Sequence, residues 1–146
     1  MLKLLVVIPA YNEADNIERV VLNLINNYPE YDYLVVNDGS KDDTAKICRR
    51  NGFELLDLPN NLGLTGAVQA GMRYAFQNDY DAVLQFDGDG QHRPEFIKGM
   101  LEVMEQEGIN VVIGSRFVTQ KKPHTLRMLG NNLISLLIKI SVYRRG

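Results

Sequence analysis

The chain alternates short unbroken apolar runs with longer stretches in which apolar residues recur every three or four positions. Residues 2–8 form the first run, which stops at Pro9 and predicts a buried β-strand ended by the proline. From 13 to 27 the apolar positions Ile17, Val20, Val21, Leu24 and Ile25 follow helical spacing. Asn12 is placed to cap that helix, with Glu13 and Asp15 in its first turn. Residues 31–36 predict a second strand, and SKDDT then opens a second helix with Ser40 or Asp42 as its cap and Gly52 at its end. A third strand is expected over 53–58, and a helix over 64–78 with Leu64, Ala67, Val68, Gly71 and Ala75 on one face. Residues 82–86 predict strand four. Pro94 suits the first turn of the next helix, where its missing donor costs nothing, and Ile97, Met100, Leu101 and Met104 supply the apolar side. Residues 110–113 predict strand five.

Strands this short and apolar, alternating with helices, imply one α/β domain: a parallel sheet covered by helices on both faces. Ligands of such sheets bind beyond the carboxyl ends of the strands. The segments that follow the strands are PAYNE, NDGS, PNNLG, DGDGQH and GSRF. Loops at the opposite edge, NNYPEYD and QNDYD, are polar too, so polarity alone selects neither edge. The chemistry does: carboxylates follow strands two and four, and an arginine follows strand five.

Composition narrows the class. At 146 residues, 45% hydrophobic and 23% charged, the chain is an ordinary soluble domain with room for one core. A net charge of −2 argues against nucleic acid as a partner. The single cysteine, Cys48, permits no internal disulfide and fits a cytoplasmic protein, with a bland buried thiol as the simplest role. The N-terminal apolar run is brief, carries one basic residue and lacks a small-residue cleavage site, so no signal peptide is expected. The apolar stretch 133–142, broken by Ser135, Lys139 and Ser141, falls short of the roughly 20 residues that cross a bilayer.

Asp87 and Asp89 stand one residue apart, each followed by a glycine, Gly88 and Gly90. In extended backbone such side chains project to one side about 7 Å apart. They repel one another unless a cation joins them, and hard oxygen donors suit Mg2+ or Mn2+, which complete their shells with phosphate. Asp-Gly pairs are also common turn formers, so DGDG alone leaves both readings open. An EF-hand is excluded: with Asp87 as its first position, His92 stands where glycine is needed and Lys98 where glutamate is needed. No GxxxxGK[ST] occurs, and PAYNEA replaces the GxGxxG of a dinucleotide fold.

Taken in order, VVIPAYNEADNI, VVNDGSKDDT, NNLGLTGAVQAGMRYA, DAVLQFDGDGQHRPE and VVIGSRF resemble the successive blocks of a family 2 glycosyltransferase with the GT-A fold. The likeness runs over residues 4–117 and is nearest to the dolichol-phosphate and polyprenyl-phosphate sugar transferases. It implies a Rossmann-like, mostly parallel sheet, with 1–117 binding a nucleotide sugar and 118–146 forming part of the acceptor side. Pro9, Tyr11 and Glu13 match the block that frames base and ribose, although strand termination and helix capping explain Pro9 and Glu13 equally. Asp38, at the end of the run containing Val36, matches an aspartate that contacts the nucleotide. Asn37 stands where an acidic residue is common. Asn61, Gly63 and Gly66 match a block that packs near the nucleotide. Asp87, Gly88, Asp89 and Gln91 match the metal and phosphate motif, with Asp87, Asp89 and Gln91 as ligands of Mg2+ or Mn2+. His92 fits a solvated loop better than a ligand position. Arg116 matches an arginine near the donor or acceptor phosphate, and Asp89 and Arg116 are the residues expected to act on the leaving group.

The resemblance implies inverting transfer of a sugar from a UDP- or GDP-type donor to an acceptor. No carboxylate is left over to act as general base, which favours an already anionic lipid phosphate at the cytoplasmic membrane surface. Family members continue past residue 146, so a chain truncated on its acceptor side is expected. Residues 126–142 resemble the start of an amphipathic helical region that could dimerise or lie on a membrane. Two alternatives stay open: a non-catalytic sugar-nucleotide-binding module, and a sugar nucleotidyltransferase. The latter would want a Gly-rich basic segment after strand one, which PAYNEADNI does not supply.

Overall fold

The computed structural model of the chain describes residues 2–87 and 94–113. The chain divides into two compact units, Met1–Val112 and Ile113–Gly146, and the account below concerns the first. Four strands, β1 (Leu4–Ala10), β2 (Asp32–Asp38), β3 (Leu55–Leu58) and β4 (Ala82–Gln85), form a sheet in the order β3-β2-β1-β4. Every pairing is parallel, as the alternation of strands and helices requires. The helices are α1 (Ile17–Asn27), α2 (Thr44–Arg50), α3 (Gly63–Gln77) and α4 (Ile97–Glu107), the last preceded by a 3₁₀ turn at Pro94–Phe96.

The pleat sorts the central strand between two cores. Leu4, Val6, Ile8 and Ala10 face Ile17, Val20, Val21 and Leu24 of α1, together with Cys48 and Ile97. Leu5 and Val7, with Leu34 and Val36 of β2, face Ala67 and Ala75 of α3. Both faces of the sheet are therefore covered, and β1 is buried along its whole length. Cys48 is fully buried, and burial, reinforced by the Asp57 charge, pushes its thiol up to about 11, so it stays an unreactive core group.

Several boundaries differ from the sequence expectation. Pro9 does not end β1 but lies within it, level with Val36 of β2. The Val7 carbonyl accepts from Phe86 N–H (2.9 Å), so Pro9, two residues further on, turns its donorless nitrogen to the same side. There β4 has already ended at Gln85, and no ladder bond is lost. Asn12 does not cap α1. It sits in the left-handed region (φ 56°), and the helix begins at Ile17 with Asn16 before it. Neither Ser40 nor Asp42 occupies the position ahead of α2, which belongs to Asp43. Asn37 and Asp38, expected in a loop, are the last residues of β2. Leu64, expected on the buried face of α3, is exposed, whereas Ala67, Gly71 and Ala75 are buried. Residues 110–113 form no strand despite their β-branched side chains, because among the described residues no neighbouring strand pairs with them.

Candidate functional site

The carboxyl ends of β1, β2 and β4 bring together Pro9–Glu13, Asn37–Asp43 and Asp87. The first two loops are bound to one another by reciprocal hydrogen bonds. Asn12 N–H donates to Ser40 Oγ (2.9 Å) and Lys41 N–H donates to Asn12 Oδ1 (2.9 Å). Glu13 N–H donates to Thr44 Oγ1 (2.9 Å), and Ala14 N–H donates to Asp42 Oδ2 (3.0 Å). Asn12 makes both of its bonds because asparagine tolerates the left-handed backbone that aims its N–H and side chain at the second loop. Burial alone would raise the Asp42 carboxyl, but hydrogen bonds from the Thr44 hydroxyl, Thr44 N–H and Ala14 N–H outweigh it and hold the group below the usual carboxylate range.

Thr44 is wholly buried and links two groups, since its hydroxyl accepts from Glu13 N–H and donates to Asp42 Oδ1. Thr44→Val keeps the shape and removes both bonds, leaving the Glu13 N–H without its partner. A loss of about 1–2 kcal/mol in urea denaturation is expected. Wild-type stability in that variant would show that the two loops hold together without the hydroxyl.

Asp38 is the buried acid of this edge, 3% exposed, with Oδ1 accepting from Leu62 N–H at 2.7 Å. That bond ties β2 to the start of α3, where Gly63 N–H donates to Asn61 Oδ1 (3.0 Å). Gly39 follows with φ +65°, and a Cβ there would meet the Asn60 carbonyl carbon and the Asn61 nitrogen at 2.7 Å each. Only glycine lets the two backbones approach so closely. Asn37 is equally buried, and its Nδ2 donates to Asp57 Oδ1 at 2.6 Å, while Asp57 also pairs with Arg49.

Of the residues expected at the site, Pro9 and Val36 are buried in the sheet, Val36 with its side chain in the core against α3. Tyr11 is exposed at 43%, and Glu13 is partly buried with its carboxylate accepting from Asn16 Nδ2 (2.9 Å). Gly63 (φ +75°) opens α3. A Cβ on Gly66 would come within 2.4 Å of the Leu62 Cβ, so this glycine packs the first turn of α3. Asp87 lies two residues past the end of β4, where its Oδ1 accepts from Gln85 Nε2 (3.0 Å). Gly88, Asp89, Gly90, Gln91, His92 and Arg116 lie outside the described residues. The Asp87 carboxylate supplies hard oxygen of the kind Mg2+ and Mn2+ prefer. Among the described residues no set of three acidic, histidine or cysteine side chains gathers around it.

Asn12, Ser40, Asp42 and Thr44 shape the site without having been expected there. The available signal was their clustering in the first two post-strand loops, which capping chemistry explained just as well.

Comparison with known proteins places this arrangement. The sequence model for "Glycosyl transferase family 2" matches residues 5–144. An undecaprenyl-phosphate mannosyltransferase of Micrococcus luteus is 34% identical over 122 residues, covering 80% of this chain and 49% of that protein. A polyprenol monophosphomannose synthase of Mycolicibacterium smegmatis is 31% identical over 120 residues, covering 78% and 45%. The chain thus spans about half the length of these curated relatives. Among solved structures, S. aureus TarS 1-349 in complex with UDP superposes with a TM-score of 0.56 at 20% identity, covering 86% of this chain and 39% of that one. Among the described residues no helix is long and apolar enough to cross a membrane. With this parallel α/β sheet and a family-model match over nearly its whole length, the chain belongs to glycosyl transferase family 2.

Proposed function

We propose that this chain is the donor-binding part of a metal-dependent, inverting glycosyltransferase that moves a sugar from a nucleoside diphosphate to polyprenyl phosphate. The observation that carries the reading is the buried Asp38, fixed by Leu62 N–H at the carboxyl edge of the sheet beside the clamped PAYNE loop. Named relatives acting on undecaprenyl phosphate and polyprenol, and a structural neighbour solved with UDP, support the same assignment.

In this reading Asp38 accepts hydrogen bonds from the nucleoside, and the exposed ring of Tyr11 covers the base. Asp87, Asp89 and Gln91 would hold Mg2+ or Mn2+, which as a Lewis acid neutralises charge growing on the departing diphosphate. The resemblance would give Arg116, outside the described residues, the role of a permanently charged fork suited to pyrophosphate. The incoming lipid phosphate is anionic near neutral pH, so no side chain has to remove a proton from it. It attacks the anomeric carbon from the face opposite the diphosphate, which inverts the configuration.

Calorimetry with UDP and GDP, with and without Mn2+, tests the donor site. Binding that needs the metal, and falls at least tenfold in both Asp87→Ala and Asp89→Ala, is expected. Nucleotide affinity indifferent to Mn2+ and to both substitutions would overturn the metal seat. Transfer to polyprenyl phosphate then separates the enzyme from a module that binds the donor without turnover.

A further inference from the structure

A cavity of about 440 Å³ opens at the opposite edge of the sheet, lined in part by Tyr31, Asp32, Tyr33, Glu54, Tyr74 and Tyr80. It lies where β2 and β3 begin, roughly 20 Å along β2 from Asp38 at about 3.3 Å per residue. It is therefore separate from the donor edge.

Its chemistry has one sign. Asp32 and Glu54 are both exposed carboxylates, and neither has an ion-pair partner among the described residues. Among the described residues no lysine or arginine lines the cavity. Ile25 and Tyr74 bring in the last turns of α1 and α3, and neither turn carries a basic residue to offset the partial negative charge of its carbonyl end. The tyrosines feel this field. Burial, then the Asp32 hydrogen bond and charge, push the Tyr80 phenol up to about 12, and burial with the Glu54 charge raises Tyr33. Tyr33 and Tyr80 therefore stay neutral phenols near pH 7, with electron-rich faces.

One of those rings already holds a cation. Lys3 Nζ sits 4.1 Å from the Tyr80 ring centroid, anchored by a hydrogen bond to the Asn78 carbonyl (3.0 Å). The Tyr80 hydroxyl donates to Asp32 Oδ2 (3.0 Å), which fixes this carboxylate at the cavity wall. Tyr33 packs edge-on to Phe53 and its hydroxyl accepts from Glu54 N–H (3.4 Å), which keeps the ring beside the Glu54 carboxylate.

We propose that this cavity binds a small organic amine in its ammonium form. The N–H groups donate to Asp32 and Glu54, and the alkyl portion lies against the tyrosine rings. Aromatic faces with adjacent carboxylates recognise an ammonium group, and the Lys3 ammonium on Tyr80 is one instance already in place.

An NMR titration of the 146-residue protein with n-butylammonium chloride tests this, with sodium chloride and n-butanol as matched controls. Saturable amide shifts at Tyr31, Asp32, Tyr33, Glu54 and Tyr80 are expected with the amine alone. Glu54→Gln and Asp32→Asn, exposed positions that should fold normally, are each expected to weaken binding about three- to tenfold. Equal affinity for n-butanol would show an apolar crevice, and the same shifts with sodium chloride would show ionic screening. Either result, the absence of saturation, or wild-type affinity in both variants overturns the proposal.

Discussion

Gly71→Ala is expected to destabilise the fold by about 2 kcal/mol, although alanine is the better helix former by about 1 kcal/mol. A Cβ at position 71 would stand 2.4 Å from Val7 Cγ1 and 2.8 Å from Cγ2, well inside contact distance. Neither side can yield cheaply. Val7 sits in the central strand, hydrogen-bonded between β2 and β4, and Gly71 lies between Ala67 and Ala75 on the only face that α3 buries. The helix would have to lift from the sheet and give up its contacts with Leu5 and Val36. For a chain of this size the midpoint of thermal unfolding should fall by roughly 4–8 °C. A double-mutant cycle isolates the cause. Val7→Ala removes the methyl groups that would collide, so the double variant should be more stable than the two single losses summed, by about 1 kcal/mol. Gly99→Ala serves as the contrast: it lies within α4 with nothing within 4 Å of its added methyl, and should stabilise by a few tenths to 1 kcal/mol. Strict additivity at positions 7 and 71, or a gain from Gly71→Ala, would contradict this packing.

The periodicities that make Gly71 critical are the part of the molecule most legible in the sequence. The apolar runs of β1 and β2 became buried parallel strands, and the 3.6-residue spacing of Ile17, Val20, Val21 and Leu24 became the inner face of α1. These signals are local, and burial on both faces leaves a strand little choice of side chain. What was lost depends on neighbours distant in sequence. Pro9 continues β1 because β4 happens to end beside it, a fact recorded some 76 residues later at Gln85. Val111 and Val112 have strand propensity, yet a strand is defined by a partner, and none pairs with them among the described residues. Asn12 had the composition of a cap, but it serves instead as a left-handed corner between two loops. The tyrosine cavity was invisible for the same reason, since its lining comes from four separated segments that only the parallel topology assembles.

Asn37 shows how such a distant contact can decide a residue. The resemblance leads one to expect an acid at this position, yet the Asn37 side chain is 3% exposed and its Nδ2 donates to Asp57 Oδ1 at 2.6 Å. Asn37→Asp would replace a donor by a second carboxylate, setting a buried anion against the exposed Asp57 carboxylate. Arg49 already pairs with Asp57, but it is largely exposed and offsets only part of the repulsion. A loss of about 2–3 kcal/mol at pH 7 is expected. The sign of its pH dependence follows from which form the fold tolerates. The folded pair would hold one proton more tightly than the unfolded chain does, so its titration lies above the ordinary value of about 3.9. The penalty is then full above the raised folded value and shrinks as pH falls through it. Urea denaturation of wild type and variant at pH 7 and pH 5 should show the gap narrowing in acid. Adding Asp57→Asn restores a donor–acceptor pair and should recover most of the loss at pH 7, at the cost of the exposed Arg49 contact. The disturbance should also reach the proposed donor site, because Asn37 Oδ1 accepts from Ser40 N–H (3.4 Å) and Ser40 Oγ holds Asn12 N–H. Nucleotide affinity in Asn37→Asp is therefore expected to fall together with stability and to return with Asp57→Asn. A penalty equal at both pH values, or a double variant no better than the single one, would mean that the Asn37–Asp57 contact does not set the choice of residue at this position.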